Sequence, residues 1–258
     1  MLTTIIRRHG GSAASLEARR AFSIFPKIPL IKFFGIRRFI AQKTVNKFKP
    51  ERVAILGPDL ACLEWLMEAG ATSVKMSDGT ELTRISQMRA YIASQGFDLK
   101  KLPAIPPESL PPPLNPKILA SESLFAERWA HAPKVHIEEV DGSDSAITDE
   151  GFQYFTECRG LKVMKLNHCD YFTDHAFRQL ALGRPALTLR NFEVCLNPSI
   201  SDSMVYWIIK LKALRRLHFY FLPYVANRAA VLRQLKMSLP KCAVTFPETN
   251  KLGYGYDG

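Results

Sequence analysis

Three segments in the second half of the chain align with one another: "SAITDEGFQYF" (Ser145–Phe155), "DYFTDHAFRQL" (Asp170–Leu180) and "PSISDSMVYWI" (Pro198–Ile208). Each has an apolar residue, then Thr or Ser followed by Asp, then apolar residues at helical spacing. The leading residues Ile147, Phe172 and Ile200 lie 25 and 28 positions apart, and a degenerate copy, "PYVANRAAVLRQL", puts Val225 another 25 on. Upstream of each copy runs a short alternating stretch: "VHIEEV", "LKVMKL", "ALTLRNF" and "LRRLHF". One strand and one helix in a period of roughly 20–29 residues is the mark of leucine-rich repeats. The fold expected is therefore α/β, a short leucine-rich-repeat solenoid of about four repeats, with parallel strands plus helices, over residues 134–248.

A unit of this size cannot bury its own apolar face, so such a stack needs neighbours and caps. Alternate strand residues face inward, which makes Val163 or Met164 with Leu166, and Leu187 with Leu189, the expected core. Cys169 and Cys195 fall near the turn where these repeats place an Asn or Cys. Thr173 and Ser201 read as helix N-caps, with Asp174 and Asp202 favouring the positive end of the helix dipole. "LPKCAVTF" (Leu239–Phe246) reads as a terminal strand and residues 249–258 as a tail.

Residues 51–101 read as a helical N-terminal cap domain. In "AILGPDLACLEWLMEAGA" (Ala54–Ala71), Gly57-Pro58 starts a helix. Asp59 supplies charge to its first turn, Leu60, Leu63 and Met67 make an apolar stripe, and Gly70 stops it. A second helix is expected from Glu81 to Ser94. Residues 102–133 read as a linker or extended strap, because "LPAIPPESLPPPLNP" (Leu102–Pro116) holds seven of the chain's 17 prolines.

The formal charge of +11 is unevenly placed. Residues 1–50 carry 11 Lys/Arg and one acid, Glu17, so the remainder is nearly neutral and gives no case for nucleic acid. The start, rich in Arg, Ser and Ala, reads as a mitochondrial presequence over residues 1–22, cleaved after Phe22. Residues 23–50 are basic and partly amphipathic, suited either to a membrane surface or to packing on the body. No uncharged apolar run reaches the roughly 18 residues of a membrane-spanning helix. Five cysteines without a C-x-x-C pair argue against a disulfide framework or a structural zinc site.

Catalytic signatures are missing: there is no Walker-type loop, no G-x-G-x-x-G, no H-E-x-x-H and no G-x-S-x-G. The "NHCD" around Cys169 falls in a structural corner of the repeat. Glu64 and Glu68 read as a solvated helix face. The chain is thus expected to be a scaffold and not an enzyme, working through the outward strand face. Lys165, Asn167, Arg190, Arg216 and His218 alternate with the core there and are the expected partner-binding residues.

The repeats, the presequence and the motif Gly57, Pro58, Asp59, Ala61, Glu64, Trp65, Leu66, Gly70, Ala71 occur together in one family. The chain resembles the mitochondrial ATP synthase subunit s (coupling factor B) family, which includes a paralogue for assembling the distal membrane arm of respiratory complex I. "VDGSDSAITDEGF" (Val140–Phe152) extends the likeness. The resemblance implies a helical cap on a short solenoid and a non-catalytic protein on the matrix side of the mitochondrial inner membrane. It implies a role in proton-coupled ATP synthesis, with ATP synthase or complex I membrane-arm subunits and the inner-membrane surface as partners. A generic leucine-rich-repeat adaptor is the further alternative. The resemblance also implies a magnesium ion (Mg2+) held by Gly70 and Ser143. Two departures stand out: Ala69 replaces the family's cysteine before the Gly-Ala pair, and the spacer from Gly70 to Asp141 is long.

Overall fold

The computed structural model describes residues 44–247, apart from 107, 109 and 113; the expected presequence, most of the 23–50 segment and the 249–258 tail lie outside them. The described chain begins with α1 (Pro50–Leu56) and α2 (Pro58–Glu68). Gly57 joins them at φ +82°, and a Cβ there would stand 2.6 Å from Ala132 Cβ, so glycine is required twice over. The expected apolar stripe of α2 is instead burial on every side: Pro58 through Met67 are all buried, Glu64 included. Gly70 ends the helix at φ +87°, with the Ala71 N–H donating back to the Leu66 carbonyl at 2.9 Å.

The cap is not purely helical. β1 (Ser73–Met76) and β2 (Glu81–Leu82) form an antiparallel hairpin before α3 (Ile85–Ser94), so the helix expected from Glu81 begins four residues later. The cause is the Asp78-Gly79 turn: Gly79 takes φ +84°, and the Asp78 carboxylate accepts from the Thr80 N–H at 2.9 Å.

The proline-rich segment is also more than a linker. It runs into α4 (Pro116–Ala120) and α5 (Glu122–Arg128), capped by Asn115 and Ser121. Phe125 and Trp129 are buried. Glu157 holds the end of this strap by accepting from Trp129 Nε1 at 2.8 Å and Arg128 Nε at 2.7 Å.

From here strands and helices alternate: β3 (Ile137–Asp141), β4 (Val163–Asn167), α6 (Ala176–Leu182), α7 (Pro185–Thr188), β5 (Asn191–Cys195), α8 (Val205–Ile208), β6 (Arg216–Tyr220), α9 (Arg228–Ser238) and β7 (Ala243–Thr245). A short 3-10 turn, Gly151–Phe155, takes the place of a helix between β3 and β4. The seven strands form one mixed, mostly parallel sheet in the order β2-β1-β3-β4-β5-β6-β7. β1 runs antiparallel to both neighbours, and β3 to β7 are all parallel. The register pairs Val140 with Met164, Met164 with Phe192, Phe192 with Leu217 and Leu217 with Val244, steps of 24, 28, 25 and 27 residues.

Period-2 burial puts Met164 and Leu166, Phe192 and Val194, and Leu217 and Phe219 into the core. The third strand lies later than expected. Pro185 starts a helical turn at its N-terminus, which leaves Leu187 exposed and hands the inward positions to Phe192 and Val194. The corner assignment shifts in the same unit. Cys169 fills the corner and donates its thiol to the Gly142 carbonyl at 3.1 Å, but the next occupant is Asn197, not Cys195. Asn197 is fully buried and donates to the Cys169 carbonyl at 2.6 Å.

The Thr/Ser-Asp signature bonds one unit to the next. Asp149 accepts the Thr173 N–H at 2.7 Å and its hydroxyl at 2.9 Å. Asp174 does the same for Ser201 at 3.0 and 2.5 Å, and Asp202 accepts the N–H groups of Ala226 and Asn227. Thr173 is not a helix cap, since α6 starts at Ala176; Ser201 caps only the 3-10 turn Asp202–Met204.

Two contacts seat the cap on the first parallel strand. An aromatic chain leads from Trp65 through Phe155, Phe152, Phe172 and Phe177 to Phe192, with ring centroids 5.2 to 5.9 Å apart. Beside it, fully buried Asp59 accepts from the Ile137 N–H at 3.1 Å and from Arg159 Nε at 2.7 Å. The Arg159 guanidinium also donates to the Pro133 and Val135 carbonyls. Burial raises the Asp59 carboxyl above its ordinary value, and Arg159 pulls it back.

Candidate interaction surface

Side chains that do not enter the core stand on the open face of the sheet, and the parallel register stacks them in rows. One row reads Lys75, Glu139, Val163, Asn191, Arg216; the next reads Ser73, Asp141, Lys165, Glu193, His218, Thr245. Glu139, Lys165, Asn191, Glu193, Arg216 and His218 line a groove of about 500 Å³ with Met164 and Phe192 in its walls.

Most of these polar groups are tied to one another. Lys75 donates to Glu139 at 2.9 Å, Arg216 Nε to Asn191 at 3.2 Å, and Asn167 Nδ2 to Glu193 at 2.7 Å. His218 Nδ1 lies 2.7 Å from the Thr245 hydroxyl. The bond from Lys75 to Glu139 raises the lysine, and the bond from Lys162 to Glu138 on the same strand lowers that carboxyl.

Two groups are left over. The exposed Lys165 side chain makes no ion pair among the described residues. Asn167 Oδ1 is buried with no donor among the described residues. An orphan acceptor of this kind carries a standing cost of about 1–3 kcal/mol.

Of the five residues expected from the strand pattern, Lys165, Arg216 and His218 line the groove and Asn167 stands at its margin, bonded to Glu193. Arg190 does not join them. It precedes β5 by one residue and lines a separate cleft with Leu187, Lys212 and Arg215. Glu139, Asn191 and Glu193 complete the groove and were not anticipated; moving the third strand to its observed register brings Asn191 and Glu193 outward. A larger hollow, about 610 Å³, lies on the cap among Arg52, Glu64, Glu68, Arg89 and Lys100. Its buried carboxylate Glu64 is already matched by Arg52 at 3.2 Å.

Gly70 and Ser143 lie on one rim, linked through their neighbours: Ala146 N–H donates to the Ala69 carbonyl at 2.9 Å and Thr72 Oγ1 to the Ser143 carbonyl at 3.0 Å. Magnesium wants octahedral oxygen ligands with carboxylates among them. The adjacent carboxylate, Asp141, spends Oδ1 on the Ser143 N–H, and the Ser143 hydroxyl accepts from the Asn167 N–H at 3.4 Å. No three His, Cys, Asp or Glu side chains cluster for a metal among the described residues. This donor set does not fit a resident magnesium ion.

The cysteines are all free and buried. Burial pushes the Cys169 thiol up to about 11, which suits a packed corner and not a nucleophile.

The chain is distantly similar to proteins named mitochondrial ATP synthase subunit s. Over 198 residues, 76% of this chain and 78% of the relative, it is 23% identical to the protein so named from Pongo abelii. The identity is 22% to that of Bos taurus and 23% to that of Homo sapiens over the same length. No protein-family profile matches the chain. No helix among the described residues is long and apolar enough to cross a membrane.

Proposed function

We propose that this chain is a non-catalytic, mitochondrial accessory protein of ATP synthase, a divergent counterpart of subunit s that serves proton-coupled ATP synthesis from the matrix side of the inner membrane. In this reading, β3 to β7 and their helices are a leucine-rich-repeat solenoid of about four repeats, closed at its open end by α1 to α3 and the hairpin. The regular 24- to 28-residue steps and the buried Cys169 and Asn197 corners support that assignment. The solenoid holds an extended segment of a partner subunit in the groove on its open face.

The observation that carries the proposal is the groove on the open sheet face, where the exposed Lys165, beside Glu193, Arg216 and His218, makes no ion pair among the described residues. It is joined by the likeness to subunit s over most of both chains. Nothing in the geometry favours the complex I alternative.

The test is co-purification of the Lys165→Glu/Arg216→Glu variant with ATP synthase from mitochondria. Both residues are exposed, so the variant is expected to fold and import normally while its recovery with the complex falls at least tenfold. Unchanged recovery would defeat the groove as the contact surface. Wild-type protein that migrates apart from ATP synthase would defeat the assignment itself.

A further inference from the structure

The nearly neutral body is strongly polarised. Residues 134–175 carry four Lys/Arg against nine Asp/Glu, whereas residues 176–247 carry eleven against two. From Ser203 to Pro247 there are eight Lys/Arg and no acid at all. The fold gathers part of this charge at one edge. Backbone bonds from Arg190 N–H to the Lys162 carbonyl, from Arg215 N–H to the Arg190 carbonyl and from Ala243 N–H to the Arg215 carbonyl stack successive units where their strands begin. Lys162 is neutralised by Glu138, but Arg190 and Arg215 have no acidic partner among the described residues.

These two arginines line a cleft of about 540 Å³ with Lys212, Ala186, Ala213 and Leu187. Leu187 is 52% exposed there. Lys212 reaches on to the Ser238 carbonyl at 3.5 Å, beside Met237, which is 75% exposed. Single apolar side chains standing among unpaired cations suit a surface that accepts an inserted side chain anywhere. An anionic bilayer is such a surface, with the bases at the phosphates and leucine or methionine at the acyl boundary. A folded protein partner would demand a contiguous apolar centre, and single-stranded nucleic acid would want stacking rings. The cleft residues include neither.

The geometry points to this basic edge, Arg190, Lys212 and Arg215 with Leu187 and Met237, as a docking face for an anionic lipid surface. Its cleft shares no lining residue with the groove, although Arg190 and Arg215 directly precede the groove residues Asn191 and Arg216. Each basic residue near such a surface is worth about fivefold in binding.

The test uses the full chain and vesicles of phosphatidylcholine with or without phosphatidylserine, read by co-sedimentation. Because the basic first 50 residues also attract anionic lipid, two variants of equal net charge are compared. Arg190→Glu/Lys212→Glu/Arg215→Glu is expected to weaken binding to the phosphatidylserine vesicles by about a hundredfold. The cap variant Arg89→Glu/Lys100→Glu/Lys101→Glu is expected to stay within a few-fold of the parent. Equal weakening by both, or no preference of the parent for phosphatidylserine, overturns the proposal. So does an RNA oligonucleotide whose binding the first variant abolishes while vesicle binding persists. Should the glutamate variant melt early by circular dichroism, the glutamine triple carries the same comparison. Co-purification with ATP synthase is a separate readout, so failure here leaves the groove untouched.

Discussion

Replacing Asp59 by alanine separates two accounts of the Gly57-Pro58-Asp59 motif. If the carboxylate merely complements the dipole of α2, its removal costs about 0.3–1 kcal/mol. The structure demands far more. Asp59 is fully buried, and its loss strands the Ile137 N–H and the Arg159 guanidinium on the cap-to-sheet seam. Removing one partner of a buried pair costs about 3–5 kcal/mol, a large part of the roughly 5–15 kcal/mol that holds a domain together. The expected result in urea is a lower midpoint at unchanged slope. Thermally it is a fall in Tm of about 10 °C for a protein of this size. Because burial itself disfavours this carboxylate, removing both partners together should cost less than removing one. Asp59→Ala/Arg159→Met is therefore expected to regain much of the loss. A single-variant loss below about 1 kcal/mol, or strict additivity of the two changes, would refute the latch.

Two further outcomes follow from the inter-unit bonds. Asp174→Ala removes both acceptors of Ser201 and is expected to cost about 1–3 kcal/mol in a denaturant titration, whereas Asp202→Ala, whose partners are exposed, should cost less. Equal costs would contradict the burial difference. Glu138 is lowered from its ordinary value near 4.5 by the bond from Lys162, so it stabilises the fold above that value and the contribution fades as pH falls through its lowered value. The stability difference between wild type and Glu138→Gln should accordingly be present at neutral pH and vanish in acid; a difference that grows in acid would reverse the sign.

The period of the parallel units was legible because it is written in buried residues. Ile147, Phe172 and Ile200 are each fully buried, at the spacing their alignment required. Helix starts and stops at Gly57-Pro58 and Gly70 were legible for the same local reason: fixed or positive φ belongs to the residue itself. The hairpin of the cap was also written, in Asp78-Gly79, but the helical spacing of the flanking apolar residues competed with it. The third strand was ambiguous because Leu187 with Leu189 and Phe192 with Val194 both satisfy a period of two; Pro185 settled it by starting a helical turn. Four of the five expected surface residues came to the groove or its margin, and the fifth, Arg190, left it with that register.

The sequence by itself determined the class of fold, the length of its unit and the family it resembles, all of which depend on local periodicity and on residue type. Tertiary structure alone decided what the polar residues do. Asp174 and Asp202 look like first-turn charges for helices in their own units, yet the donors that they and Asp149 accept belong to the next unit, 24 to 27 positions away. Asp59 looks like a first-turn carboxylate, and its partner Arg159 lies 100 residues on. A hydrogen bond is satisfied by whatever the fold brings within about 3 Å, and that distance is set by stacking, which no single stretch of chain contains.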